Sequence, residues 1–252
     1  MLILIIILII ATLTGTIALQ QYCEKYISGC IKRPPPNWNN VKLSSGAVLY
    51  MKQNSQTVKT VRILFPGAGQ SVKSAIDSPI IKELLKINDS LVCVLGKRGF
   101  DSLADTIPTY ISLTYMHEDA AAAVSFVKQY NVPIYLVGYS MGCNDALSVV
   151  HDNISGIVLI APILEDVNLR MLFWGMKNVR IFYNIIRLFL YKSMLPWLVV
   201  PIDIKNLKVP YKIFIGKSDV YGYMDNIFIT VDGGHKTCMK YVKSTDYDFA
   251  IK

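Results

Sequence analysis

The chain is short of charge. Asp, Glu, Lys and Arg make up 17% of its 252 residues, against about a quarter in ordinary soluble domains. With 52% hydrophobic residues beside so little charge, a disordered chain and a charge-laced coiled coil are both excluded. Glycine numbers 15, too few for a collagen-like repeat. Cysteine is sparse and unpatterned. Cys23, Cys30, Cys93, Cys143 and Cys238 are odd in number and contain no Cys-x-x-Cys, so neither a disulfide framework nor a zinc site is indicated. Histidine occurs three times, as His117, His151 and His235, which limits the choice of a general base.

What is present is apolar. Mean hydropathy is +0.37, and much of the excess sits at the front. Leu2 to Leu19 carries no charge and lies in the window of roughly 17–25 residues needed to span a bilayer. Only Met1 precedes it, so the basic n-region of a signal peptide is missing, although Thr16 and Ala18 supply small residues of the kind found at a cleavage site. A retained anchor is the expectation and a signal peptide the alternative. Lys25, Lys32 and Arg33 follow the run and nothing basic precedes it, which puts the rest of the chain on the cytoplasmic side. The net charge of +8 favours an anionic partner, nucleic acid or an acidic membrane surface. No nucleic-acid motif accompanies it.

Residues 20–45 read as a linker containing Pro34-Pro35-Pro36 and a single Trp38. From Gly46 onward, short apolar strands alternate with helical segments. Strands are expected at Ala47–Met51, Val58–Phe65, Leu91–Leu95, Pro133–Val137, Ile157–Ile160, Tyr211–Ile215 and Ile227–Val231. Helices are expected at Ser78–Ile87, Met116–Tyr130 and Ala146–His151. Strands that are apolar throughout imply an α/β fold with a mostly parallel sheet covered by helices on both faces. One stretch, Leu164–Pro210, breaks the alternation. It mixes Leu, Ile, Phe, Trp and Tyr with Arg170, Lys177, Arg180, Arg187 and Lys192, and reads as an inserted helical cap.

Gly138-Tyr139-Ser140-Met141-Gly142 has the form G-x-S-x-G between a strand and a helix. Such a turn lifts the Ser140 hydroxyl above the sheet end, and the flanking glycines avoid collisions across the bend. A serine hydroxyl needs a base. His151 is too far along the same chain segment, and His117 reads as a surface histidine beside Glu118 and Asp119. His235 follows an expected strand and Gly233-Gly234, where a base can reach over the serine. The acid that orients it is expected to be Asp219, after Tyr211–Ser218, with Asp225 and Asp232 as rivals. The order Ser140, Asp219, His235 is that of an α/β-hydrolase. Oxyanion donors are expected to be the N–H groups of Met141 and of Ala68 in Pro66-Gly67-Ala68-Gly69. No Gly-Lys-Ser/Thr follows that turn, so a phosphate-cradling loop is not indicated.

These residues resemble the α/β-hydrolase superfamily from about Gly46 to the C-terminus. Phe65–Gln70 is similar to the oxyanion strip of monoglyceride-lipase-like enzymes, with Pro66 in place of the usual histidine. Lys97–Ser102 is similar to that family's Arg-Gly-x-Gly-x-Ser turn, and Gly233-Gly234-His235 to the histidine loop of membrane-anchored abhydrolase-domain enzymes. Two departures stand out: Cys143 after Gly142, and only 15 residues between Asp219 and His235. The resemblance implies cleavage of carboxylic esters or thioesters, often of lipids, without a cofactor. The expectation is therefore a membrane-anchored serine esterase acting on monoacylglycerols or lysophospholipids. Its partners would be a lipid or acyl-ester substrate and the membrane, not nucleic acid. An acyl thioesterase and a non-catalytic binding module are the alternatives.

Overall fold

The computed structural model describes residues 37–67, 70–98, 101, 103–105, 113–151, 153–162, 204, 207–219 and 227–249. The expected anchor Leu2–Leu19, most of the expected linker and nearly all of the expected cap lie outside the described residues. Among those described, no helix is long and apolar enough to cross a membrane.

Eight strands form one sheet. They are β1 (Asn39–Lys42), β2 (Val48–Gln53), β3 (Thr60–Phe65), β4 (Ser90–Gly96), β5 (Ile134–Tyr139), β6 (Ile154–Ile160), β7 (Tyr211–Gly216) and β8 (Ile229–Val231). Their spatial order is β1-β2-β4-β3-β5-β6-β7-β8. β2 pairs antiparallel with both β1 and β4, and every pairing from β4 to β8 is parallel. Successive strands move outward from β3 in opposite directions, towards β4 on one side and β5 on the other. The crevice above the carboxyl ends at such a reversal is where open α/β sheets bind ligands.

The central strands are apolar because both faces are covered. β4 and β5 are buried along their whole length. One face packs Ile63, Phe65, Cys93, Leu136, Leu159 and Ile213 under helices α3 (Leu113–Val127) and α4 (Gly142–Ser148). The alanines of α3 at 120 and 123 are fully buried and allow the helix to lie close on the strands. The other face packs Leu64, Val94, Val137, Val158, Ile160 and Phe214 under α1 (Val72–Ile76), α2 (Pro79–Leu84) and the segment from Cys238 to Tyr247. Ser71 and Ser78 start the two short helices, accepting hydrogen bonds from the N–H groups of Ser74 (3.2 Å) and Ile81 (3.5 Å), with Pro79 in the first turn where its missing N–H costs nothing.

Three expectations are corrected. The linker does not extend to residue 45: Asn39–Lys42 pair with Val48–Met51, and Trp38 is buried on the domain. Backbone pairing makes this edge strand, and its polar sequence gave no alternation to read. The helix after the G-x-S-x-G turn ends at Ser148 rather than running to His151, where the β-branched pair Val149-Val150 follows. His117 is half-buried, with Nε2 shielded from solvent, and burial lowers its pKa.

Candidate active site

The site grows from the ends of β3, β5, β7 and β8. Ser140 directly follows β5, with φ of 54°. That left-handed conformation is uncommon for a residue bearing a Cβ and costs of order 1–3 kcal/mol. It is held by the Ser140 N–H donating to the Ile160 carbonyl at 2.9 Å, and by the Cys143 N–H donating to the Ser140 carbonyl at 3.1 Å. Gly142 is required for contact: a Cβ there would drive into the backbone carbonyls of Phe65 and Pro66. The start of α4 therefore lies directly against the strip that leaves β3. A Cβ at Gly67 would likewise touch the Ser140 Cβ at 3.2 Å.

Ser140, His235 and Asp219 come together from three separate strand ends. His235 Nε2 lies 2.8 Å from Ser140 Oγ, and His235 Nδ1 lies 3.1 Å and 3.2 Å from the two Asp219 carboxylate oxygens. The Asp219 side chain is fully buried and that of His235 is 15% exposed. A buried carboxylate on Nδ1 fixes the ring so that Nε2 faces the serine, and it stabilises the imidazolium that forms when Nε2 takes a proton.

Backbone bonds hold the acid turn and the histidine loop together. The Lys217 N–H donates to the Val231 carbonyl at 2.8 Å and the Ser218 N–H to the Gly233 carbonyl at 3.0 Å. Thr237 and Cys238 N–H groups fold back onto the Gly234 carbonyl at 3.0 and 2.9 Å. This is how 15 intervening residues suffice: β8 is only three residues long, and the two turns are joined edge to edge. Asp232 is exposed and paired with Lys217 at 2.6 Å, away from the imidazole. The other rival, Asp225, lies outside the described residues.

Tyr139, the variable residue before the serine, contributes a contact that the motif does not announce. Its hydroxyl donates to the His235 carbonyl at 3.2 Å, and its ring lies 5.9 Å from the imidazole. Burial raises its pKa, keeping it a donor. Met141, whose N–H was expected to face an oxyanion, follows the serine as the residue capping α4. Ala68 lies outside the described residues, but Pro66 and Gly67 leading to it are in place beside Ser140. Among the described residues, no group of three or more His, Cys, Asp or Glu is arranged to hold a metal ion.

A mostly parallel sheet covered on both faces, a sharp strand–serine–helix turn at its switch point, and a histidine and aspartate arriving from later strands define the α/β-hydrolase fold. Comparison with solved structures agrees. The chain is similar to the esterase Pf2001 of Pyrococcus furiosus (18% identity, TM-score 0.62, covering 81% of this chain and 87% of that one). It is also similar to XC6422 of Xanthomonas campestris, an α/β serine hydrolase without a lid (12%, 0.54, 84% and 91%). A third likeness is to EstE1, a thermostable carboxylesterase cloned from a metagenomic library (17%, 0.54, 90% and 90%). No family model matches the chain, nor does the sequence of any curated protein.

Proposed function

We propose that the protein is a serine hydrolase that cleaves carboxylic esters of lipids, of the monoacylglycerol or lysophospholipid type, while anchored to a membrane by Leu2–Leu19. The observation that carries the chemistry is the unbroken relay from Asp219 through His235 to Ser140 Oγ, with 2.8 Å at its reacting end. The likeness to esterases of the same fold supports ester hydrolysis in general. The lipid substrate rests on the apolar, base-studded Leu164–Pro210 segment and the apolar N-terminal run, both read from sequence.

In the proposed reaction Ser140 Oγ attacks the acyl carbonyl as His235 Nε2 takes its proton. The Met141 and Ala68 N–H groups receive the developing oxyanion. The tetrahedral intermediate collapses, His235 passes the proton to the departing alcohol, and the acyl group stays on Ser140. Water, deprotonated by His235, then attacks the acyl-enzyme and releases the fatty acid.

The test is labelling by a fluorophosphonate, which phosphonylates only an activated serine. The wild type is expected to label, and Ser140→Ala and His235→Ala are not. An unlabelled, folded wild type would overturn the hydrolase reading. Turnover of acyl thioesters with none of monoacylglycerols or lysophospholipids would overturn the substrate class alone.

A further inference from the structure

The cluster that the proposed chemistry leaves unused lies beneath the strip. Lys97 follows β4, and its side chain is only 6% exposed. Its Nζ donates to the Pro66 carbonyl at 2.8 Å and lies 2.5 Å from Asp145 Oδ2. Asp145 is fully buried in the first turn of α4, five residues beyond Ser140. Burial pushes its carboxyl pKa up while the Lys97 ammonium pulls it down, and His117 and Asp119 of α3 complete its charged surroundings.

A buried ion pair is an expensive way to fill space. Apolar residues of equal volume often serve folding as well or better. This pair, however, connects the two pieces of backbone whose separation matters most. The last ladder position of β3 is Phe65, opposite Gly138; beyond it the strip leaves the sheet. Gly67 and Gln70 close the turn on itself, the Gly67 N–H donating to Gln70 Oε1 at 3.2 Å and the Gln70 N–H to the Gly67 carbonyl at 3.3 Å. Gly142 packs against the Pro66 carbonyl, and the Lys97 Nζ bond adds a side-chain hydrogen bond that reaches the same carbonyl from beyond β4. Its far end, through Asp145, is the helix that begins at the nucleophile.

We infer that Lys97 and Asp145 are positioning residues: a buried tie that fixes the Pro66–Gly67 strip relative to Ser140, and with it the oxyanion donors of the proposed hydrolysis, on which this inference rests. Neither touches substrate. Their effect belongs to the transition state, because donor placement matters most when the charge develops.

The test is the double variant Lys97→Met with Asp145→Leu, which removes both charges and leaves no lone buried ion. Turnover is read per phosphonate-titrated Ser140, so that misfolded molecules are not counted. The kcat for a carboxylic ester is expected to fall about 10- to 100-fold, the loss typical of a misplaced catalytic geometry. The KM should stay within about threefold, as for an interaction made only in the transition state. Hydrogen exchange across residues 65–70 should quicken while β5 keeps its protection. If the double variant lacks a cooperative melt, the same readouts on Lys97→Gln with Asp145→Asn, which keeps polar termini in the pocket and leaves no lone charge, take its place with the same expectation. A kcat within about twofold of wild type, or unchanged exchange across 65–70, overturns the tie. A wild type that neither labels nor turns over ester sinks the hydrolase reading instead, and the exchange comparison then decides the tie alone.

Discussion

At the scale of single residues the site is a set of contacts with separable consequences. In the proposed reaction Asp219 fixes the imidazole tautomer, so Asp219→Asn is expected to lower kcat by roughly 10⁴, the order seen when a triad aspartate loses its charge, while Ser140 still labels slowly. Tyr139 holds the backbone of the same residue, through its hydroxyl on the His235 carbonyl. Removing its hydroxyl in Tyr139→Phe should cost about 1 kcal/mol of stability for one lost hydrogen bond, and lower kcat more than it alters KM; a variant with wild-type kcat would show that the His235 carbonyl needs no donor. Three cysteines are quiet by burial. Cys93 and Cys143 are fully enclosed and their thiols are pushed well above the usual range, and Cys238 is pushed up to about 11, chiefly by burial and also by the nearby Asp219. The thiolate is the reactive form. Peptide mapping after iodoacetamide at pH 8 should therefore find these three unmodified in the native protein and modified in denaturant.

At the scale of elements, the strands that the sequence revealed are those buried on both faces. β4 reads as Leu-Val-Cys-Val-Leu and β5 as Ile-Tyr-Leu-Val because helices cover both sides, and continuous apolar runs follow from that. β1 and α1 were invisible for the opposite reason. Asn39–Lys42 has no apolar alternation, and Val72–Ile76 is too short to show a helical period. Strand β1 matters all the same, because it seats Trp38 against Tyr50 and the α1–α2 face. A tryptophan in a free linker would cost nothing to remove. Here Trp38→Ala is expected to lower stability by about 3 kcal/mol, as for other buried aromatics, read as a shift in the urea midpoint at unchanged slope. No shift would mean that residue 38 does belong to a linker.

At the scale of the whole molecule, a positive net charge and a charge-poor composition fit the proposed membrane setting. Removal of residues 1–19 is expected to release a hydrolase that still labels at Ser140, found in the soluble fraction after cell lysis. Continued membrane association would move the attachment to the basic, apolar Leu164–Pro210 segment. The arrangement of strands also explains why one end of the sheet holds everything of chemical interest. The serine, the acid and the histidine leave β5, β7 and β8 at the same edge because those strands are parallel, and the strip leaves β3 beside them.

The local chemistry is legible along the chain: a serine on a glycine-flanked turn, a histidine after a short strand, and an alternation of apolar strands with helices that leads to a parallel sheet. These are readable because each depends on residues close together in the chain. Contacts between segments far apart in the chain were set by the packed fold. It joined the acid turn to the histidine loop through backbone bonds between segments that no spacing rule connects. It turned Lys97, which opens the stretch similar to an Arg-Gly-x-Gly-x-Ser turn, into a buried partner of Asp145, nearly fifty residues on, and of the Pro66 carbonyl. It drew His117 in from the surface and set the Tyr139 hydroxyl on the His235 carbonyl. Periodicity and motif carry burial and turn geometry; which charged groups are removed from water together is fixed only when the strands have found their order.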